Sequence, residues 1–242
     1  MTEQHPPLAP ETLARLYARR DLTDPLQGDH AMQLLIGEIE TAAANGGAGY
    51  LRLRLHPVRG ARPGETPGAR LACDPRDLLE QAICTCPPLN ADAPTTLIAR
   101  GPVHGHDSDG HLRLHGHQMT IWRLGGGRTA ELDLNELLPR LLRSAVPDAC
   151  YRMQPTSDPC LERCFSIQMR LQGDWHVIGR LGRLSHHRYG PVTTLLLELD
   201  ELLALRKVLP DAALLYQSAT AVQGQMLDLA PWRAMEGISR AG

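Results

Sequence analysis

The composition is poor in lysine and in aromatic residues. Lys207 is the only lysine, so arginine supplies nearly all of the 25 positive side chains, and Phe, Trp and Tyr together make up 4% of the chain. Proteins that read single-stranded RNA usually stack its bases on aromatic side chains. So few aromatic residues argue against a stacking platform of that kind.

The sequence also lacks a strong net charge and a long apolar run. The formal net charge is −2 at pH 7, which gives no general attraction to nucleic acid or to an anionic membrane. No apolar run approaches the ~18 residues of a transmembrane helix. The N-terminal MTEQHPPLAPE is polar and carries no secretory signal. These absences favour a cytoplasmic protein that does not engage a membrane.

Paired metal-binding cysteine motifs are missing as well. The six cysteines show C-x-C and C-x3-C spacings, which do not match a standard zinc motif, and in a cytosolic chain we expect them to be reduced and structural. The chain has 242 residues, 43% of them hydrophobic, enough for a sizeable core. We expect residues 1–9 to be a flexible tail and residues 10–242 to form a single domain.

The rest of the chain is organised around residues 98–124. An apolar segment at residues 95–99 suits a buried strand, and residues 117–124 alternate apolar and polar side chains at the period of a strand. Between them lies a polar connection with turn chemistry at Asp109 and Gly110. The pattern predicts an antiparallel hairpin that presents polar groups to a ligand.

A metal site is one hypothesis for this hairpin, because it concentrates histidine and aspartate. The segment HGHDSDGH comes close to the H-x-H-x-D-H pattern of metallo-β-lactamase-like hydrolases, but its aspartates and its last histidine are displaced. We therefore expect no stoichiometric metal, and a metal-dependent enzyme remains an alternative. The histidines concerned are His104, His106, His111, His115 and His117.

Periodicity and capping signals elsewhere predict an α+β fold. Asp24 followed by Pro25 is a common helix opening, and Asp133 with Glu136 forms a capping box. Helices are predicted at residues 10–20, 26–44, 74–83, 133–145 and 192–208, and strands at residues 50–58, 149–153, 165–171 and 175–181, with an irregular loop at 154–162.

Several phrases resemble the phenylalanyl-tRNA synthetase α subunit, a class II aminoacyl-tRNA synthetase, and small bacterial ligases related to it. The hairpin resembles that family's G-x-V-Y-R-x-D loop followed by F-H-Q-x-E, and HQMTIWRL resembles its H-Q-L-D-L-W-R-I. RDLTDP near the N-terminus and QMLDLAPWR near the C-terminus match in the same order, so the resemblance spans residues 20–233. It implies a class II core, an antiparallel sheet backed by helices.

The resemblance also implies a substrate site that is only partly kept. His117 and Gln118 match the family, in which the glutamine contacts the amino group of the substrate, and Thr120 stands where the family has glutamate. The family's arginines on the ATP phosphates fall at Gly105 and Glu201, and its substrate-gripping H-T-S-A falls at residues 74–77. We expect the pocket on the sheet face towards which His117 and Gln118 point.

Other arginines in neighbouring strands stand as candidates to hold ATP in place of the lost pair. If the protein is active, it is an ATP- and Mg²⁺-dependent ligase that forms an aminoacyl adenylate. The hypothesis we favour is an amino-acid-binding or regulatory paralogue with degenerate ATP motifs. Its ligand would be an amino acid or a related small carboxylic acid; tRNA or a carrier protein is a weaker candidate, and a homodimer or a heteromer with a synthetase is expected. The candidate ATP-binding residues are Arg100, Arg113, Arg123 and Arg180.

Overall fold

Seven strands form one mixed sheet in the computed structural model of this chain. They are β1 (Gly49–Arg54), β4 (Thr95–His106), β5 (Leu112–Leu124), β6 (Tyr151–Asp158), β7 (Leu161–Leu171), β8 (Asp174–Leu184) and β9 (Val192–Glu198). The order across the sheet is β1-β4-β5-β9-β8-β7-β6. Only β1 and β4 run parallel, and every other neighbouring pair is antiparallel.

The remaining elements are helices and one small hairpin. They are α1 (Pro10–Ala18), α2 (Ala31–Ala44), α3 (Arg128–Ala145), α4 (Leu199–Lys207), α5 (Thr220–Gln225), two 3₁₀ turns (Pro25–Gln27 and Ala212–Tyr216), and the hairpin strands β2 (Val58–Arg59) and β3 (Arg70–Leu71). The structure describes residues 7–18, 20–44, 49–54, 58–59, 67–71, 78, 95–106, 108–109, 112–124, 128–159, 161–171, 173–184 and 192–233. Within these ranges no helix combines the length and apolarity needed to cross a membrane.

The helices α2, α3 and α4 cover one face of the sheet, and this determines where polar side chains can reach solvent. Met119 and Ile121 of β5 share the main core with α2, α3 and α4. Trp122 and Leu124 alternate with them and belong to a smaller core on the opposite face. We call these the helix face and the second face. Towards Gln118 the second face becomes polar and half-buried.

The predicted α+β class and antiparallel sheet are confirmed. The four segments expected to lie in one antiparallel sheet, at residues 95–99, 117–124, 165–171 and 175–181, all lie in the seven-stranded sheet. The strand predicted at residues 50–58 is found as Gly49–Arg54, paired with β4. The helix expected at residues 26–44 begins at Ala31, after Asp24 has capped a 3₁₀ turn through the Leu26 N–H.

The helix predicted at residues 192–208 is wrong over its first seven residues. Val192–Glu198 forms β9 between β5 and β8, and α4 begins at Leu199. An apolar run buried on both faces carries no alternation, so periodicity cannot separate a strand from a helix there. The β-branched Val192, Thr193 and Thr194 are the local signal for a strand.

Three further boundaries differ from prediction. The irregular loop expected at residues 154–162 is mostly strand, because β6 continues to Asp158 and β7 begins at Leu161. The capping box at Asp133 does not open a helix, since α3 begins at Arg128 and contains Pro139. The helix predicted at residues 74–83 lies outside the described residues except for Leu78.

Candidate functional site

A glutamine and a glutamate on adjacent strands form the polar end of the second face. Gln118 of β5 is the register partner of Glu198 of β9. The Gln118 Nε2 amide donates to both carboxylate oxygens of Glu198, at 3.0 and 3.1 Å. Because a carboxylate only accepts, this pairing fixes the amide orientation and leaves Gln118 Oε1 as an acceptor for another group.

The electrostatic environment of Glu198 differs from that of a surface glutamate. Burial raises the pKa of its carboxyl above the usual range, and the charges of Asp200 and Glu201 act in the same direction. The hydrogen bond from Gln118 and the charge of Arg180 lower the pKa, but they do not outweigh burial. A cation placed beside Glu198 would therefore be favoured, since it relieves a disfavoured negative charge.

Thr120 lies two residues along β5 from Gln118, on the same face of the strand. It is buried, and among the described residues its hydroxyl has no hydrogen-bond partner. Thr120 therefore marks a polar atom in the floor of the second face, next to the glutamine pair. An unmade hydrogen bond of this kind is uncommon in a protein interior.

His117 faces the opposite way and joins β5 to the helix face. Its Nε2 accepts from the Leu22 backbone N–H at 3.1 Å, and its Nδ1 lies 3.0 Å from Asp200 Oδ1. Accepting at Nε2 requires the Nδ1–H tautomer, which donates to the Asp200 carboxylate. Asp21 Oδ1 is also 3.5 Å from Nε2, but Leu22 already uses that lone pair. The Tyr216 hydroxyl donates to Asp200 and completes the network.

The structure therefore separates two residues that the sequence places in one pocket. Consecutive residues of a strand point to opposite faces, so Gln118 reaches the second face while His117 is fully buried beneath the helices. Of the predicted substrate-binding residues, Gln118 and Thr120 share a face. His117 is held by the protein's own groups.

The four candidate ATP-binding arginines do not come together. Arg100 Nε lies 3.6 Å from Glu40 of α2, and buried Arg123 donates to Thr96, so both belong to the helix face. Arg113 is exposed on β5 beyond a bulge, opposite Gly105. Arg180 alone lies on the second face near Glu198, where it pairs with Asp158 at 3.2 Å.

The sequence RDLTDP folds into a turn that is held by side-chain hydrogen bonds. Asp21 accepts from the backbone N–H and hydroxyl of Thr23, and Arg54 of β1 donates to both Asp21 and Asp24. These contacts hold the Leu22 N–H against His117. The N-terminal segment therefore supports β5 through this turn.

No metal centre is found within the described part of the chain: no three or more His, Cys, Asp or Glu side chains there could hold an ion. His104 is buried and His115 is exposed, and the side chains of His106 and His111 lie outside the description. The His115 ring packs over Gly105, since a Cβ at Gly105 would lie 2.8 Å from His115 Nε2. An imidazole thus covers Gly105.

Sequence reasoning missed three residues that shape the site. Glu198, Asp200 and Tyr216 bind the predicted residues directly, but the segment containing the first two was assigned to a helix. Recognising Val192–Glu198 as a strand would have placed Glu198 beside Gln118. No comparable signal identifies Tyr216, whose contact depends on the turn after α4.

Solved structures with the same fold are class II synthetases. The pyrrolysyl-tRNA synthetase of Desulfitobacterium hafniense is 12% identical, with a TM-score of 0.57, over 91% of this chain and 82% of that chain. A second structure of the synthetase from that organism is 13% identical, with a TM-score of 0.55, over 87% of this chain and 80% of that one. No family model matches the sequence, and no curated protein matches it. The fold is that of a class II aminoacyl-tRNA synthetase catalytic domain.

Proposed function

We propose that this protein binds an amino acid on the second face of its sheet without activating it, as a non-catalytic relative of the phenylalanyl-tRNA synthetase α subunit. The observation that carries the proposal is the pair formed by Gln118 and Glu198. It offers one spare carbonyl acceptor and one half-buried carboxylate at the same place. An α-ammonium group, with three donors and a positive charge, complements both.

The other polar groups nearby suit the rest of an amino acid. Arg180 is exposed on the same face and pairs with Asp158 through one of its terminal nitrogens. Its guanidinium therefore has further donors for a carboxylate. Thr120 contributes a hydroxyl whose hydrogen bond is not made within the described structure. Together these groups favour a small zwitterion over a simple amine or a simple acid.

The positions of the arginines disfavour adenylate formation. Phosphoryl chemistry of this kind needs cations on the phosphate oxygens as charge develops. Gly105 is covered by His115, Glu201 carries the opposite charge, and Arg100 and Arg123 are held on the helix face. At an effective dielectric near 20, one unit charge at 4 Å is worth about 4 kcal/mol, which corresponds to roughly three decades of rate.

The test combines binding with catalysis in the same preparation. Thermal unfolding is followed with each of the common amino acids, and ATP–pyrophosphate exchange is measured with Mg²⁺ and the same panel. We expect at least one amino acid to raise the melting temperature, and we expect no exchange. Gln118→Ala should abolish the shift, whereas Gln154→Ala, at an exposed glutamine of the edge strand β6, should keep it.

A working ATP-dependent ligase is the second candidate, because two solved structures that share this fold are pyrrolysyl-tRNA synthetases. Clear amino-acid-dependent exchange in the wild type would establish it and refute the non-catalytic proposal. In that case Arg180→Gln should reduce the exchange, since Arg180 is the candidate arginine that lies beside Glu198. If no amino acid shifts the melting temperature, amino-acid binding itself is refuted.

A further inference from the structure

A cleft of about 520 Å³ opens on the helix face, away from the glutamine pair. The N-terminal segment around Arg20 and Leu22 forms one wall, and the segment from Ala213 to Gln223 forms the other. Leu22 and Tyr216 both contact His117, whose side chain lies on the helix side of β5. The volume is in the range of clefts that hold small metabolites.

Among the described residues that line this cleft, Arg20 is the one that carries a charge. One of its terminal nitrogens donates to the Asp29 carbonyl at 2.9 Å. Its Nε is buried and has no hydrogen-bond partner among the described residues. A buried N–H donor without a partner is unfavourable, and the described lining contains no carboxylate to pair with the guanidinium charge.

The rest of the lining is divided between apolar and polar groups. Leu22 and Leu215 are buried and present hydrocarbon. Gln217, Ser218 and Gln223 are exposed polar residues that line the same cleft. Such a lining suits a ligand with one negative group, a small apolar body and a polar edge.

We propose that this cleft is a second binding site, for a small monocarboxylate held by Arg20. A carboxylate matches the geometry of a guanidinium and pairs with its charge. Among the described residues the lining holds no carboxylate, so an ammonium group would find neutral acceptors but no charged partner, and the cleft favours a simple carboxylic acid over an amino acid. The site does not depend on the proposed function of Gln118 and Glu198.

Benzoate is the probe and benzamide is its uncharged control, both titrated by calorimetry at constant ionic strength. The wild type should bind benzoate at least about tenfold more tightly than benzamide, and Arg20→Gln should weaken benzoate binding by about tenfold or more. Ser218→Leu, at an exposed position of the lining, should weaken the binding of benzoate by filling the cleft. It serves as the second variant if Arg20→Gln does not fold.

Gln118→Ala provides the matched control, because it changes the second face and leaves the cleft lining intact. Benzoate should bind this variant as it binds the wild type, even if no amino acid does. The proposal is overturned if benzoate fails to bind the wild type at millimolar concentration, or if benzamide binds equally well. It is also overturned if a folded Arg20 or Ser218 variant retains full affinity, or if Gln118→Ala abolishes benzoate binding.

Discussion

Two neighbouring residues of β5 bind to different layers of the molecule. Gln118 pairs with Glu198 on the second face, while His117 pairs with Asp200 on the helix face. Glu198 and Asp200 are themselves only two residues apart, at the junction of β9 and α4. The junction of β9 and α4 therefore supplies an acidic partner to each face of the sheet.

The raised pKa of Glu198 predicts that amino-acid binding weakens in acid. Protonation removes the negative charge that would face the ammonium, and burial makes this happen at a higher pH than for an ordinary glutamate. Affinity should be level above that pKa and fall by about tenfold per pH unit below it. Calorimetry between pH 7 and pH 4 measures how the affinity for the amino acid depends on pH. The Glu198→Gln variant should bind the amino acid weakly, with an affinity that does not change with pH.

A matched control for that experiment is Glu162→Gln, at an exposed position of β7, which should keep the wild-type profile. A raised folded-state pKa also means that ionising Glu198 lowers the stability of the fold above that pKa. Without ligand, Glu198→Gln should therefore be no less stable than the wild type at pH 7. If the affinity of the wild type and that of Glu198→Gln depend on pH in the same way, Glu198 is not the carboxylate that pairs with the ammonium group.

Tyr216 is predicted to stabilise the protein through Asp200. Tyr216→Phe removes the hydroxyl that donates to this carboxylate, and we expect a loss of about 1–2 kcal/mol in the free energy of unfolding, measured with urea. Tyr17→Phe, at an exposed position of α1, should change little. In combination with Asp200→Asn the effects should be less than additive; full additivity would mean that the contact contributes nothing.

At the scale of elements, the bulge in β5 brings that strand close to α4. His115 is the extra residue, since His104 pairs with Leu114 and Val103 with Gly116. Gly116 has a φ of 145°, and a Cβ there would lie 2.8 Å from Asp200 Oδ2. Only glycine lets the backbone N–H of His117 approach the Asp200 carboxylate, to which it donates at 3.2 Å.

Gly116→Ala should consequently destabilise the protein by about 2 kcal/mol or more, from backbone strain and the clash together. Gly173→Ala is the control, because Gly173 also has a positive φ, 107°, but has open space around it. The Gly173→Ala variant should therefore lose only the stability that corresponds to backbone strain. Urea unfolding of both variants measures the difference, and equal losses would show that the contact with Asp200 imposes no constraint.

The same elements show what could be predicted from sequence. Residues 117–124, 165–171 and 175–181 alternate apolar and polar side chains, so their pattern identified the strands. β9 lies at the centre of the sheet with both faces covered, and its run of leucines carries no alternation. The pairing of Gln118 with Glu198 depends on that strand, so the sequence predicted one half of the pair and missed the other.

At the scale of the whole molecule, Lys207 fastens the C-terminal segment to α4. Its ammonium is buried and donates to the carbonyl and carboxylate of Asp228 and to the Ala230 carbonyl, at 2.7–3.2 Å. These contacts join α4 to QMLDLAPWR, a phrase that carries part of the resemblance. The sequence could identify that phrase, but its contact with α4 depends on the chain folding back after the Ala212–Tyr216 turn.

Lys207→Met should loosen that segment. The substitution keeps an unbranched side chain but leaves two carbonyls and a carboxylate without their donor, which we expect to cost about 2–4 kcal/mol. Limited proteolysis should then cut residues 226–233 faster than in the wild type, while Arg233→Met, at an exposed residue, should leave the rate unchanged. Equal cleavage of Lys207→Met and the wild type would contradict this role.

Lys207 is the sole lysine of the chain. Because it is buried, the folded chain presents no lysine amine to solvent. An amine-acylating reagent reaches this buried side-chain amine only when the C-terminal segment detaches from α4. The rate at which Lys207 becomes acylated, followed by peptide mass spectrometry, therefore measures that detachment. Lys207 thus reports the detachment of the C-terminal segment in the wild-type protein, without any introduced label.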